Sequence, residues 1–219
     1  FSDMGSFGSE IRTPNLDSLA KGGVRFTNFY THATCSPTRS ILLSGVDTHL
    51  NGLGNMSEWT APNQMGRDGY EGNLNDRVVT LPQLLKDAGY HTYMVGKWHL
   101  GKEPTQIPAA RGFERDFTLL DGMGSYWDDT NFSALTPKSL YTEDGRYLRH
   151  LPDNFYATTT YTDKMISFID ASSAAPMRRL PIASPSSAGA GRAGSMPMVS
   201  RRFAGSSVRP RATACTSRA

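Results

Sequence analysis

Cys35-Ser36-Pro37-Thr38-Arg39 places a thiol four residues before a permanent cation. Ser36 and Pro37 are helix-start residues, Ile41, Leu42 and Leu43 suit a helix interior, and Gly45 is a stop, so the sequence predicts a helix with Cys35 just ahead of its N-terminus. The helix N-terminus and Arg39 would then stabilise an anionic nucleophile at position 35. The plainer reading is a small buried hydrophobe, and the residues alone leave both open. A second stretch, Gly96-Lys97-Trp98-His99-Leu100-Gly101, follows a short β-branched and aromatic run. Lys97 and His99 are two apart in a glycine-bounded turn beyond a strand end, where an open parallel sheet gathers ligand groups. Lys97 would complement an oxyanion, and His99 would move a proton near neutral pH. Taken by itself this stretch also reads as a surface Lys, a hydrogen-bonded His and a core Trp.

The elements that must position these residues alternate between helix and strand. Thr13 and Pro14 open a two-turn helix with Leu16, Leu19 and Ala20 on one side and Gly22 and Gly23 past its end. Val24–Tyr30 alternates Val24 and Phe26 with Arg25 and Thr27 and predicts a strand. A polar, glycine-rich loop covers 51–76, Thr80 caps a helix with Leu81, Leu84, Leu85 and Ala88, and Tyr90–Val95 predicts another strand. Residues 101–155, with Pro104, Pro108, Pro137 and Pro152, read as long loops, and a last helix is expected from Thr162 with Met165, Ile166, Phe168 and Ile169 as its apolar positions. The pattern argues for an α/β layer structure with a mostly parallel sheet.

Charge divides the chain near residue 170. Residues 171–219 carry eight Arg, no Lys and no acid, leaving 15 basic and 20 acidic residues before them. That segment is built from Ala, Ser, Gly, Pro and Arg with few large apolar groups, so it is expected to be disordered. With few aromatics to stack on bases, nucleic-acid binding is not expected of it, and a shifted reading frame in a GC-rich gene explains its composition best. No run approaches the roughly 18 apolar residues of a membrane span, so membrane insertion is not expected. The two cysteines, Cys35 and Cys215, make no disulfide scaffold. A start at Phe1 suits a fragment and leaves the compartment open between cytoplasm and periplasm or exterior.

Taken together these residues resemble the sulfatase family, and closely its bacterial arylsulfatases. The matching pieces run in the family's order: Thr13-Pro14-Asn15-Leu16-Asp17, Cys35-Ser36-Pro37-Thr38-Arg39-Ser40, Gly69-Tyr70-Glu71-Gly72, Thr80-Leu81-Pro82, Ala88-Gly89-Tyr90, Gly96 to Gly101, and Arg111-Gly112-Phe113. The resemblance covers about residues 1–170 and implies an alkaline-phosphatase-like α/β fold with flanking helices. It also implies that Cys35 is oxidised to formylglycine by a formylglycine-generating enzyme, with Pro37 and Arg39 completing the recognition signal. A thiolate that took a sulfuryl group would be left in a stable adduct. An aldehyde hydrate has two hydroxyls: one attacks sulfur and expels the alcohol or phenol, and the other loses its proton so that the carbonyl reforms and sulfate leaves. By the same carry-over Arg39 holds the hydrate, Lys97 binds sulfate oxygens, His99 assists collapse, and a divalent cation, commonly Ca2+, is ligated in part by the modified Cys35. The implied substrate is a small-molecule sulfate ester.

The sequence departs from the family pattern at both ends. The family's metal-binding aspartate pair precedes the segment matching Phe1-Ser2-Asp3, and Asp3 is not a substitute for it. The later His, Asp-Asn pair and Lys have no counterparts in 171–219. Asp47, His49, Asp128 and Asp129 are conceivable replacement ligands, but loop and cap roles suit them better. The expectation is therefore a partial catalytic domain over 1–170 whose first strand is absent, poorly soluble and inactive as the 219-residue chain. The competing readings are a phosphonate monoester or phosphodiester hydrolase of the same superfamily, and a non-enzymatic relic with a basic binding tail.

Overall fold

The computed structural model describes residues 3–133 and 136–173. The expectation of a disordered or frame-shifted tail concerns residues that, from 174 onward, lie outside the described ones. The helices are α1 (Pro14–Gly22), α2 (Cys35–Ser44), α3 (Thr48–Asn51), α4 (Leu81–Asp87) and α5 (Ala157–Ser173). The strands are β1 (Tyr93–Lys97), β2 (Arg115–Leu119), β3 (Thr130–Ser133), β4 (Thr136–Lys138), β5 (Tyr141–Glu143) and β6 (Arg146–Tyr147). No described helix is long and apolar enough to cross a membrane.

A four-stranded sheet runs in the order β1-β2-β5-β6. β1 and β2 are parallel, with Tyr93 opposite Arg115 and Lys97 opposite Leu119, and the β2–β5 and β5–β6 pairs are antiparallel. The sheet is therefore mixed, its described parallel part being β1–β2. β3 and β4 form a separate antiparallel pair. The period-two alternation of strands sorts the core onto two faces. Phe117 and Leu119 of β2 join Tyr141, Phe155 and Phe168 under α5, with Tyr93 and Val95 packed alongside. Met94, Trp98, Leu100 and Leu120 join Leu53, Leu74 and Ile107 in the other cluster.

Three expectations change. Val24–Tyr30 forms no strand: it has no ladder partner among the described residues, and Val24, Phe26 and Tyr30 are exposed. β-propensity describes fit to a pleated, half-buried surface, and alternation without such a surface leaves an extended loop. Residues 101–155 are not long loops, since they hold β2 to β6. These strands are two to five residues long, too short for a period to show. The last helix starts at Ala157, five residues before Thr162, and runs through Ser173, into the segment expected to be without structure.

Candidate active site

α2 begins at Cys35 itself, with Thr34 as its cap, so the sulfur sits in the first turn and not ahead of it. Thr38 anchors that turn by donating its hydroxyl to the carbonyls of His32 and Thr34, at 2.9 and 2.8 Å. At the other end Gly45 takes a left-handed conformation, φ 67°, and its N–H closes on the Ile41 carbonyl at 2.7 Å, the ending a glycine permits without strain. Fully buried Asn51 of α3 locks the helix from behind, donating from Nδ2 to Ser40 Oγ and to the Val46 carbonyl, both at 2.9 Å.

Arg39 ties α2 to the end of β1. Its Nε donates to the Trp98 carbonyl at 2.8 Å, and its Nη2 donates to the Lys97 carbonyl. Burial pushes the Arg39 pKa down, and the charge of an ionised Cys35 acts the other way. The fork thus holds the Lys97–Trp98 backbone beside the first turn of α2.

His99 follows directly. Its backbone is left-handed, φ 60°, an uncommon state for a residue other than glycine and one that tertiary contacts must maintain. Those contacts are present: its N–H donates to the Leu120 carbonyl at 3.2 Å, and neighbouring Trp98 is fully buried with its N–H on the Leu119 carbonyl at 2.7 Å. The imidazole is 7% exposed and faces two partners. Nδ1 lies 3.2 Å from Cys35 Sγ, and Nε2 lies 3.1 and 3.3 Å from the two carboxylate oxygens of Glu58. The hydrogen bond with His99 holds the Glu58 carboxyl down at about 2. Met56 completes the surroundings of the thiol, its Sδ accepting from Cys35 Sγ at 3.3 Å.

These groups open on a cleft of about 620 Å³ that includes Cys35, Met56, Glu58, His99, Lys102 and Asp121 in its lining. Lys102 and buried Asp121 are ion-paired across it. Of the sequence-predicted residues, Cys35 and His99 meet in this cleft and Arg39 stands behind them on the carbonyls of Lys97 and Trp98. Pro37 is buried in the first turn of α2. Lys97 ends β1 half-buried, and its Nζ has no ion-pair or hydrogen-bond partner among the described residues.

Sequence reasoning missed Glu58, Met56, Lys102 and Asp121. Glu58 lies in a one-turn 3-10 helix, Ser57–Trp59, within the stretch taken as plain loop, and no local pattern marks it. Lys102 had a signal, since it follows Gly101 directly.

Among the described residues no group of three or more His, Cys, Asp or Glu could hold a metal ion. Asp47 caps α3 by accepting the His49 N–H at 2.9 Å, and His49 Nε2 is 3.1 Å from Tyr70 Oη. Asp128 accepts the Thr130 N–H at 2.9 Å, Asp129 pairs with Lys138 at 3.0 Å, and both line a separate groove with Trp127. Asp3 is exposed. The described side chains thus do not assemble a divalent-cation site.

Comparison with known proteins gives this geometry a family. A family model described as Sulfatase matches residues 1–177. An uncharacterised sulfatase of Schizosaccharomyces pombe is 47% identical over 175 residues, 76% of this chain and 32% of that protein. An arylsulfatase of Klebsiella aerogenes is 40% identical over 173 residues, 78% of this chain and 37% of that one. The chain spans about a third of the length of these relatives. The solved structure of PsFucS1 sulfatase from Pseudoalteromonas sp. matches with a TM-score of 0.57 over 79% of this chain and 38% of that one, and at 20% identity it speaks for the fold. The architecture is that of the alkaline-phosphatase-like sulfatases, and the chain belongs to the sulfatase family.

Proposed function

We propose that this chain supplies the nucleophile side of a sulfuric ester hydrolase, with Cys35 converted to formylglycine. The observation that carries the reading is the 3.2 Å approach of His99 Nδ1 to Cys35 Sγ at the first turn of α2. The sulfur stands in for the hydroxyls of the modified, hydrated side chain, which supply a nucleophile that can later release its sulfate. His99 takes and returns a proton at that position, within the reach general base catalysis requires. The first turn of α2 favours negative charge there. Lys97, free of an internal partner among the described residues, compensates the charge of the sulfate oxygens. Arg39 acts through the backbone it grips, holding the end of β1 and the turn after it, which carry Lys97 and His99, against α2.

A divalent cation, calcium by the family's habit, belongs to the same reading, and its ligands would come from groups beyond those described. An aryl sulfate is the first substrate class to assay, because the Klebsiella aerogenes relative is an arylsulfatase. The modifying partner is a formylglycine-generating enzyme. Co-production with that enzyme, followed by peptide mass spectrometry, should find Cys35 in the aldehyde form and reactive toward a hydrazide probe. Turnover of an aryl sulfate by the protein so modified should disappear in Cys35→Ala. Only free thiol after co-production would overturn the mechanism, and faster turnover of an aryl phosphonate than of the aryl sulfate would overturn the substrate class.

A further inference from the structure

The His99 ring is held on three sides. Cys35 Sγ stands 3.2 Å from Nδ1, and the Glu58 carboxylate stands 3.1 Å from Nε2 at its nearer oxygen. On a third side is Gly122, where a Cβ would fall 2.6 Å from Cε1 and 2.7 Å from Nε2 of the same ring. Such distances require something to move, so the bare glycine is what lets the ring lie where it does. The backbone beneath is left-handed at φ 60° and fixed by the N–H bond to the Leu120 carbonyl. With ring and backbone so constrained, the remaining freedom is which nitrogen carries the hydrogen.

A neutral imidazole has one donor and one acceptor nitrogen, and an ionised carboxylate only accepts. Glu58 facing Nε2 therefore selects the tautomer with hydrogen on Nε2 and leaves the Nδ1 lone pair directed at position 35. The opposite tautomer would set the Nε2 lone pair against two carboxylate oxygens and present an N–H where a proton must be received. An orienting group on the far nitrogen of a working histidine is a general device.

We propose that Glu58 is the positioning residue of this site, fixing His99 as the Nε2–H tautomer so that Nδ1 can accept a proton from the side chain at position 35. This rests on the reading of Cys35 and His99 given above, but its structural half can be tested without turnover. Glu58 reaches His99 across 41 residues of sequence and touches neither the substrate side of Cys35 nor Arg39 in any hydrogen bond described. Its effect is expected to pass through the ring.

The test is 15N NMR of the histidine rings in the 219-residue chain, unmodified at Cys35, at a pH where the rings are neutral. His99 is assigned by the loss of its signals in His99→Gln. The parent should show His99 with Nε2 protonated and Nδ1 in the unprotonated range. Glu58→Gln, whose amide can accept or donate toward Nε2, should convert that single pattern to a mixture, and Glu58→Ala should do the same with no partner at all. If His99 in the parent carries its hydrogen on Nδ1, or if both variants keep the parent pattern, the positioning role is wrong. In the protein carrying formylglycine at position 35, Glu58→Gln should lower kcat several-fold or more while KM for the aryl sulfate stays within about twofold; a rise in KM with unchanged kcat would also overturn it. Failure to find formylglycine would remove the proposed reaction yet leave the ring measurement standing, so the two claims fail separately.

Discussion

α1 with the Val24–Tyr30 segment, and β1 with Trp98, His99 and Leu100, are both rich in large apolar residues, yet they end in different environments. Leu19 is 73% exposed and Val24 80%, whereas Trp98 and Leu100 are fully buried. The first region is tied largely to itself: Gly5 N–H donates to Thr13 Oγ1, and Thr13 Oγ1 and Ser6 N–H donate to Asp17 Oδ1, at 2.7 to 2.9 Å. The second is tied across the fold. The Trp98 N–H reaches Leu119, its indole N–H reaches the Gln106 carbonyl at 2.9 Å, and its own carbonyl accepts from Arg39. Apolar pattern states what a segment can bury. Burial and a precise site come from long-range partners that satisfy the backbone at the same time.

If that contrast is right, truncating Trp98 is the most damaging change. Trp98→Ala removes a buried ring that also packs edge-on against Phe113, centroids 6.3 Å apart, and should cost about 3–5 kcal/mol, read as a lower denaturant midpoint. Next in size come the two residues beside it. Lys97→Ala and His99→Ala in the protein carrying formylglycine at position 35 should each slow aryl sulfate turnover on the order of 100- to 1,000-fold. If both stayed within a few-fold of the parent, the end of β1 and the turn after it would be structural only.

A smaller effect sharpens the electrostatic side. The Glu58 carboxyl is depressed from 4.5 to about 2 in the folded chain by its hydrogen bond to His99. The stabilisation it brings is fully present above the unfolded value and is lost as pH falls through the folded one, so the window is about 4.5 down to about 2. Its side chain is nearly half exposed, so solvent screening keeps the contribution below about 1 kcal/mol. Glu58→Gln should flatten the fall in stability across that window, and an unchanged acid limb would show that the pair contributes nothing there. The smallest effect belongs to the first region: Leu19→Ala, on a side chain 73% exposed, should stay within about 0.5 kcal/mol of the parent, and a larger loss would mean that α1 is packed more tightly than described.

Much of the frame around the site was legible because its signals are local. Pro14, Gly45 and Thr80 marked helix ends that stand close to where they were expected, and a strand does lead into the Gly96–Gly101 stretch, whose first two residues belong to it. That strand is displaced, running from Tyr93 to Lys97 and not from Tyr90, because Tyr90 N–H still closes on Leu85 at the end of α4. β2 was hidden by Asp116, a carboxylate in the middle of a central strand. It is tolerated because the Thr142 hydroxyl and the Gly145 N–H donate to it at 2.6 and 2.8 Å, with Thr118 alongside. A sequence pattern cannot see hydroxyls arriving from another strand. The site was half legible for the same reason: Cys35, Arg39, Lys97 and His99 sit in compact motifs, whereas Glu58 acquires its meaning only when a one-turn helix comes to rest against His99.

Whether position 35 is a modified nucleophile served by His99 can be tested in a single experiment. The protein is co-produced with a formylglycine-generating enzyme, digested, and the peptide containing Cys35 is analysed by mass spectrometry with a hydrazide probe. The aldehyde is expected at position 35 and should be lost when Pro37 or Arg39 is replaced by Ala. A peptide carrying only the intact thiol, with the modifying enzyme active on a control substrate in the same cells, would contradict it.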